Sequence, residues 1–519
     1  MSMNMAQLRA QIHHDLSQSV EPIADFIFHC LCEPDTTAHQ VEQRLWQHML
    51  SLGKTGLQLF LDNSGDGDQG RTIHMPDGQK LKRLQEPRTR PYLTVFGEFA
   101  VTRRVYAVRE SQKIQYIPLD ARLQLPEQKF SYLLQDWDQS MASELPFNKV
   151  STSLSRILGF KQSVNSLEHT GRVMSGSAAA FWDDLPMPPK DQEGQIMVTS
   201  ADGKGVVMCS SALACAPKKS TTTSTSKRPG NKKMALIGSV YSVDAYVRTP
   251  EQVLEALFRE QPRHQTRESP KISRPKPCHK RVRGAILRDE NDKTCPQNEE
   301  IFSWIAKEIQ TRDPQGVKPL VMIMDGQESL WNSGLKALPE KTYKVTEILD
   351  IIHVTSYIWE AANVFFEPKS AKARAYAYKH IRWILNSQVT KVVRALRRKA
   401  RRMGLGAGQV EKINKVCGYL ENHAHRMLYK DYLEQGYPIA SGVIEGACRN
   451  VVKDRMEHSG MRWTMPGAHA MLALRSIQLS GLWDEFTCQR MKMENKRLYA
   501  GRLAANDENY QCLRIANLG

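Results

Sequence analysis

PLVMIMDGQESLW, residues 319–331, carries the clearest strand signal in the chain. Val321 to Met324 form a short, wholly apolar run that stops at Asp325-Gly326. Such a run, bounded by turn residues, reads as a strand buried on both faces. Outward from it the pattern recurs. GQIMVTSADGKGVVM (194–208) reads as an apolar strand interrupted by Asp202-Gly203, and MALIGSVYSVDAYV (234–247) as a second strand. KVTEILDIIHV (344–354) reads as a strand with Asp350 near its end, and the pattern is helical from His353 to about Phe366. EQVLEALFRE (251–260) is helical, as is EEIFSWIAKEIQTR (299–312), where Ile301, Ile305 and Ile309 recur every four residues. Strands and helices mixed through 194–486 predict an α/β sheet domain.

Two basic, Pro- or Ser/Thr-rich stretches, 217–233 and 261–283, read as loops. Residues 368–410 hold 12 Lys and Arg and no acid, in the helical pattern KVVRALRRKARR. PIASGVIEGACRNVVKDRM (438–456) reads as a helix entered through Ser441-Gly442, and AHAMLALRSIQLSGLWDEF (468–486) as one long apolar helix. Upstream, residues 1–60 are helical in character, with Leu8, Ile12 and Leu16 four apart. YLTVFGEFAVTRRVYAV (92–108) alternates like a β-hairpin bent at Gly97. Two helices then flank Gly159-Phe160, the first capped by Ser151 or Thr152, as in a helix-turn-helix. LPMPPK (185–190) marks a boundary.

A chain of 519 residues holds about three to four domains by the usual size of a domain. Its apolar fraction of 41% excludes wholesale disorder. The formal charge of +17 calls for a polyanionic partner, most simply nucleic acid. No apolar run approaches the ~18 residues of a membrane span. The start of the chain lacks a secretory signal. Ten scattered cysteines without a C-x-x-C pair argue against a disulfide framework or zinc ribbon, and for free thiols in a reducing cytosol.

Three acids stand out: Asp202, Asp325 and Glu445. Carboxylates at strand ends and in the first turn of a helix converge on the crevice of an open sheet. Three carboxylates in one place repel unless cations neutralise them, and hard oxygen ligands suit Mg²⁺. Two such ions clamp the attacking and leaving oxygens of an in-line phosphoryl displacement. Plainer roles compete: Asp-Gly is a common turn dipeptide, and Glu445 could serve the helix dipole or pair with Arg449. The acids taken together with the basic surplus favour a metal-dependent nucleic-acid phosphoryl transferase.

The motifs SADGKGVVM (200–208), VMIMDGQESLW (321–331), LDIIHVTSYIWEAANVFF (349–366) and GYPIASGVIEGACRNVVKDRMEHSGMRWTMPGAHAMLALR (436–475) carry a resemblance. The chain resembles bacterial insertion-sequence transposases of the ISKra type, related to the Mutator-like DDE transposases. The resemblance covers most of 195–485 and, more loosely, the N-terminal region. It implies a ribonuclease H-like mixed-sheet catalytic domain over 191–486, interrupted by an all-helical insertion at about 367–435. Mainly helical DNA-binding regions precede it: a helical region 1–90, a hairpin region 91–127 and a helix-turn-helix-like domain 128–190. A helical tail, 487–519, follows. The resemblance implies Asp202, Asp325 and Glu445 as catalytic metal ligands, with Asp350 and His353 in support. It implies two Mg²⁺ ions, for which Mn²⁺ substitutes, acting on double-stranded DNA: the terminal inverted repeats and the target. A homodimer or larger assembly in the bacterial cytoplasm, associated with the nucleoid, goes with that reading. Relatives often carry a Cys-pair zinc element after the hairpin, but YAVRESQKIQYIPLD (106–120) has no cysteine.

For DNA contact the sequence offers Lys391, Arg394, Arg397, Arg398, Arg401 and Arg402, then Arg449, Lys453, Arg462 and Trp463. Trp463 is either a base-stacking platform or a core aromatic. His353 either orients the scissile phosphate or is a half-buried helix-start histidine. Two other functions fit the same residues: a nuclease that cuts without joining, and an inactive DNA-binding regulator descended from a transposase.

Overall fold

The computed structural model of the chain describes residues 5–209, 232–258, 274–290, 293–458 and 460–499. Two compact units emerge: Met1–Ser177 with Asp484–Gly519, and Ala178–Trp483.

The first unit opens with helices α1 (Met5–Cys32) and α2 (Ala38–Asn63). Thr37 caps α2 in a reciprocal box with Gln40, satisfying N–H groups that the first turn leaves free. Strands β1 (Thr72–His74), β2 (Lys80–Arg83), β3 (Arg88–Thr94), β4 (Gly97–Arg103) and β5 (Tyr106–Ala107) follow. β3 and β4 form the expected hairpin, and Gly97 takes φ 114° at its bend. After the short α3 (Pro118–Leu123) come α4 (Tyr132–Glu144), α5 (Phe147–Leu158) and α6 (Val164–Ser175), packed around Leu134, Val150, Leu154 and Leu167. Gly159 ends α5 in the left-handed conformation, as its place in the turn requires. The cap expected at Ser151 or Thr152 is corrected: α5 starts at Phe147 after Pro146, and both residues lie inside it. Ser151 is buried and donates to the Gln162 carbonyl at 2.6 Å. The C-terminal helix Trp483–Tyr499 returns to this unit, where Arg490 donates to Gln135 at 2.9 Å and Arg497 pairs with Glu127.

Asp138 in α4 is fully buried and accepts from Gln139 and Gln162 at 2.8 and 2.9 Å. Burial pushes its carboxyl up to about 7, although both amides and the Arg490 charge pull the other way. The native state therefore keeps a proton that the unfolded chain releases near an ordinary Asp pKa of about 4. Stability falls as pH rises from about 4 to about 7, and levels off above. Asp138→Asn stays neutral throughout. It should melt above wild type at about pH 8 and flatten the profile below. Parallel melting profiles for the two proteins from acid to alkali would refute this.

The second unit begins with α7 (Ala178–Asp184). Its sheet is built from β6 (Ile196–Val207), β7 (Lys232–Val243), β8 (Cys278–Ile286), β11 (Leu320–Met324) and β12 (Val345–Leu349). A small hairpin, β9 (Arg288–Glu290) and β10 (Lys293–Cys295), lies between β8 and β11 in sequence. The strand order is β12-β11-β6-β7-β8, with β6, β11 and β12 parallel and β7 antiparallel to both neighbours. The α/β expectation holds at this level: one mixed five-stranded sheet, with all of Leu320–Met324 buried.

Three sequence readings need correction here. Asp202-Gly203 does not interrupt its strand: β6 runs through both residues, which face Ile237 and Leu236 of β7. Residues 278–283 are not loop but the start of β8, since an outer strand with one polar side tolerates CHKRVR. The rest of that stretch, 261–273, and nearly all of 217–233 lie outside the described residues. Finally, 468–486 is not one helix, because Gly481 at φ 71° breaks it.

Helices cover the sheet. After α8 (Pro250–Phe258), α9 (Gln297–Arg312) lies on β7 so closely that a Cβ at Gly238 would come 2.6 Å from Ile301. α10 (Glu328–Ala337) follows β11, and α11 (Ile351–Phe365) follows β12. Next come four consecutive helices: α12 (Ala371–Leu385), α13 (Val389–Met403), α14 (Ala407–Asn422) and α15 (Tyr429–Glu434). Val392, Val393 and Leu396 of α13 share one core with Ile413, Val416 and Leu420 of α14. The chain re-enters the sheet region through α16 (Gly442–Cys448), a π-helical stretch Arg449–Lys453, and α17 (Met465–Leu479). Ser476 and Ser480 accept the β8 N–H groups of Gly284 and Val282 at 2.9 Å, which covers an otherwise unpaired edge. No described helix is long and apolar enough to cross a membrane.

Candidate active site

The parallel ladders set the level of the acids. Met322 faces Thr199 and Met324 faces Leu349. Continued past the ladder ends, the same register brings Asp325 level with Asp202 on one side and Asp350 on the other. Strand β11 stops at Met324, so the β6 edge beside Asp202 has no strand partner. That is the carboxyl-end crevice where open sheets bind ligands.

Asp350 is fully buried and caps α11. One carboxylate oxygen accepts from the Ile352 N–H at 3.0 Å and the Ser441 N–H at 3.2 Å; the other accepts from the Ser441 hydroxyl at 2.7 Å. The Ile351 N–H donates to the Ile439 carbonyl at 3.0 Å. These bonds tie the end of β12 to the entry of α16, whose first turn carries Glu445. Ligand atoms of Asp350, His353 and Glu445 lie within 4.8 Å of one another.

The electrostatics bind all five groups together. Burial raises the Glu445 pKa, Asp350 and Asp202 add to the rise, and His353 opposes it. Burial likewise raises Asp202, with Asp325 adding and Cys448 and His353 opposing. Like charges in a half-buried crevice repel, and a divalent cation would relieve that repulsion. Carboxylate oxygens with one imidazole make a donor set that Mg²⁺ or Mn²⁺ accepts.

The structure thus brings Asp350, His353 and Glu445 together, and Asp202 and Asp325 lie near enough for their charges to act on this group. It also brings in residues the sequence did not single out. Cys448, one turn after Glu445, directs its thiol at the Asp202 carbonyl at 3.7 Å, and burial pushes that thiol well up. Tyr419 of α14 packs against Gly326 and stacks on Tyr357 with centroids 3.9 Å apart. Arg426 is buried, pairs with Glu328 and Glu347, and lies 4.3 Å over the Trp331 ring. The Trp331 indole N–H in turn donates to the Asp325 carbonyl at 2.7 Å. None of these has a local sequence signal, because each acts across more than a helix turn of chain.

Gly326 has no room for a side chain, since a Cβ there would sit 2.3 Å from Tyr419 Cε2. Gly326→Ala should cost about 1–3 kcal/mol, the usual penalty of overpacking. Denaturant unfolding measures it, and an Ala variant as stable as wild type would show that α14 yields freely.

The expected pairing of Glu445 with Arg449 does not form; Arg449 faces Asp454 at 3.5 Å. Trp463 is buried, donates its indole N–H to the Met456 carbonyl at 3.1 Å, and bridges Met208 in sheet fashion. A base-stacking role is therefore corrected to a core aromatic, while Arg462 beside it is exposed. Lys453 is also exposed. On α13, Arg397 is held by Glu421 through two 2.7 Å bonds, and Lys391 lies 4.5 Å over Trp383. Arg394, Arg398, Arg401 and Arg402 are exposed and have no acidic partner among the described residues.

No protein-family model and no curated protein matches this chain. Among solved structures, the Drosophila P element transposase strand transfer complex aligns with 76% of this chain and 88% of its own. The identity is 10% and the TM-score 0.22, too low to carry an argument about fold or function.

Proposed function

We propose that this chain is a DDE-type DNA transposase, a metal-dependent polynucleotidyl transferase with a ribonuclease H-like core. What supports it most is the strand register that sets Asp325 level with Asp202, with Glu445 near enough to feel the Asp202 charge and grouped with Asp350 and His353. A central strand flanked by an antiparallel pair on one side and a parallel pair on the other is the arrangement that the proposed fold requires. The charge of +17 and the acid-free basic helices add the polyanion partner.

In this reading Asp202, Asp325 and Glu445 hold the divalent ions, and Asp350 anchors the helix that presents Glu445. Bound there, Mg²⁺ supplies charge neutralisation at the attacking and leaving oxygens of a phosphodiester. His353 donates a hydrogen bond toward the scissile phosphate. The exposed arginines of α13 hold the DNA backbone while water, and then a freed 3′-hydroxyl, is brought in line. The DNA is the element's terminal inverted repeats and then the target. Two ends need two active sites, so the working species is a homodimer or larger.

The test is incubation of the full chain with DNA carrying the element's own ends, in Mg²⁺ and in EDTA. Metal-dependent nicking at the ends with joined product is expected. Nicking without joining would mark a nuclease, and binding without chemistry a regulator.

A further inference from the structure

Tyr419 stands on α14, in the helical segment between the sheet strands and Glu445. Its hydroxyl oxygen is buried and makes no well-formed hydrogen bond. A buried hydroxyl without a partner costs free energy, so it calls for a compensating contact in some working state of the protein. The ring is fixed from two sides. Tyr357 stacks on one face, and the Asp325-Gly326 turn closes in so tightly that Gly326 has no space for a Cβ. The hydroxyl is electrostatically coupled to both Asp325 and Asp350, and the Gly326 N–H approaches it. That N–H can only donate, so the hydroxyl proton still has no acceptor.

Asp350 has no need of this donor, since Ile352 and Ser441 already supply three hydrogen bonds. Asp325 differs. One of its oxygens accepts the Gln327 N–H at 3.0 Å, and the other has no hydrogen bond among the described residues. Tyr419 thus brings a buried donor without an acceptor to the Asp325-Gly326 turn, where Asp325 keeps an oxygen able to accept.

We infer that Tyr419 is a positioning residue for the cation site, its hydroxyl donating to the free oxygen of Asp325 when that carboxylate turns to hold a divalent ion. The inference rests on the proposed metal role of Asp325. Hydrogen bonds to a ligating carboxylate fix its orientation, and their loss typically weakens metal binding by about 10–100-fold. It also gives the helical segment a part in the chemistry beyond holding DNA.

The experiment is a Mn²⁺ titration of the full chain followed by electron paramagnetic resonance, with no DNA present. Tyr419→Phe keeps the ring, the stacking on Tyr357 and the packing against Gly326. Its Mn²⁺ affinity should fall by about 10-fold, with a melting temperature without metal no lower than that of wild type. Tyr357→Phe is the control and should bind as wild type does. In an Asp325→Asn background, Tyr419→Phe should have no further effect, since the two act as one unit. Equal Mn²⁺ affinity in wild type and Tyr419→Phe would overturn the positioning role and leave the metal reading standing. Absence of Mn²⁺ binding by wild type would overturn both.

Discussion

Asp202→Asn and Asp325→Asn each abolish strand cleavage, with a fall of at least about 1,000-fold, the scale reached by losing one transition-state stabiliser. DNA affinity stays near that of wild type, because neither acid lies on the basic helices. The substitution at 202 has a second signature. Burial and the neighbouring Asp325 raise the Asp202 pKa in the native state. An acid with a raised native pKa costs stability as pH climbs from its unfolded value through its native value, and that cost persists above. Removing the charge removes the cost. Asp202→Asn should therefore melt above metal-free wild type at neutral pH while being inactive. Added Mg²⁺ should raise the wild-type melting temperature and leave that of the variant nearly still. Loss of activity by misfolding predicts the opposite shift. Cleavage at wild-type rate by either variant would end the assignment of these acids.

Replacing Arg394, Arg398, Arg401 and Arg402 by Ala together gives the second large effect. Arg394, Arg398 and Arg401 follow one another at helical spacing, opposite the buried face of Val392, Val393 and Leu396. A charged run on a solvated face is commonly inert. Here no described acid answers these four charges, so counterions do, and DNA phosphates displace counterions. The log–log salt slope of binding should fall by about 0.9 for each phosphate left without its arginine, roughly 3–4 for the set. Arg397→Ala is the internal contrast, as Glu421 already holds that guanidinium. Its slope should change by well under about 1. A quadruple variant with the wild-type slope would move the DNA site elsewhere on the chain. The fold should survive all five changes, because none of these side chains is buried.

Much of the local structure was legible in the residues themselves. VMIM before Asp325-Gly326 becomes a buried strand because four apolar residues with no polar face must be covered on both sides. The helices at 299–312 and 389–403 follow from apolar spacing of three and four, which puts one stripe against a core. Gly97 and Gly159 end up at their turns because left-handed backbone favours glycine. The excess of positive charge, and its concentration in 368–410, needs no structure at all.

Tertiary structure decided the rest. Asp202-Gly203 has the composition of a turn, yet twelve paired residues of β7 hold it in a strand. Local propensity is worth a few tenths of a kcal/mol per residue and loses to a full ladder. Trp463 beside an exposed arginine has the composition of a DNA contact, but its burial depends on where Val207 and Met456 lie. The level of Asp325 beside Asp202 and Asp350 is a matter of which strands pair and in what register. The lock between Ser441 and Asp350 spans 91 residues, and the packing of Tyr419 on Gly326 slightly more. Periodicity reports only neighbours within a turn or a pleat. Convergence of distant residues is set by the packing of whole elements, so the acids could be named from the sequence, but their company could not.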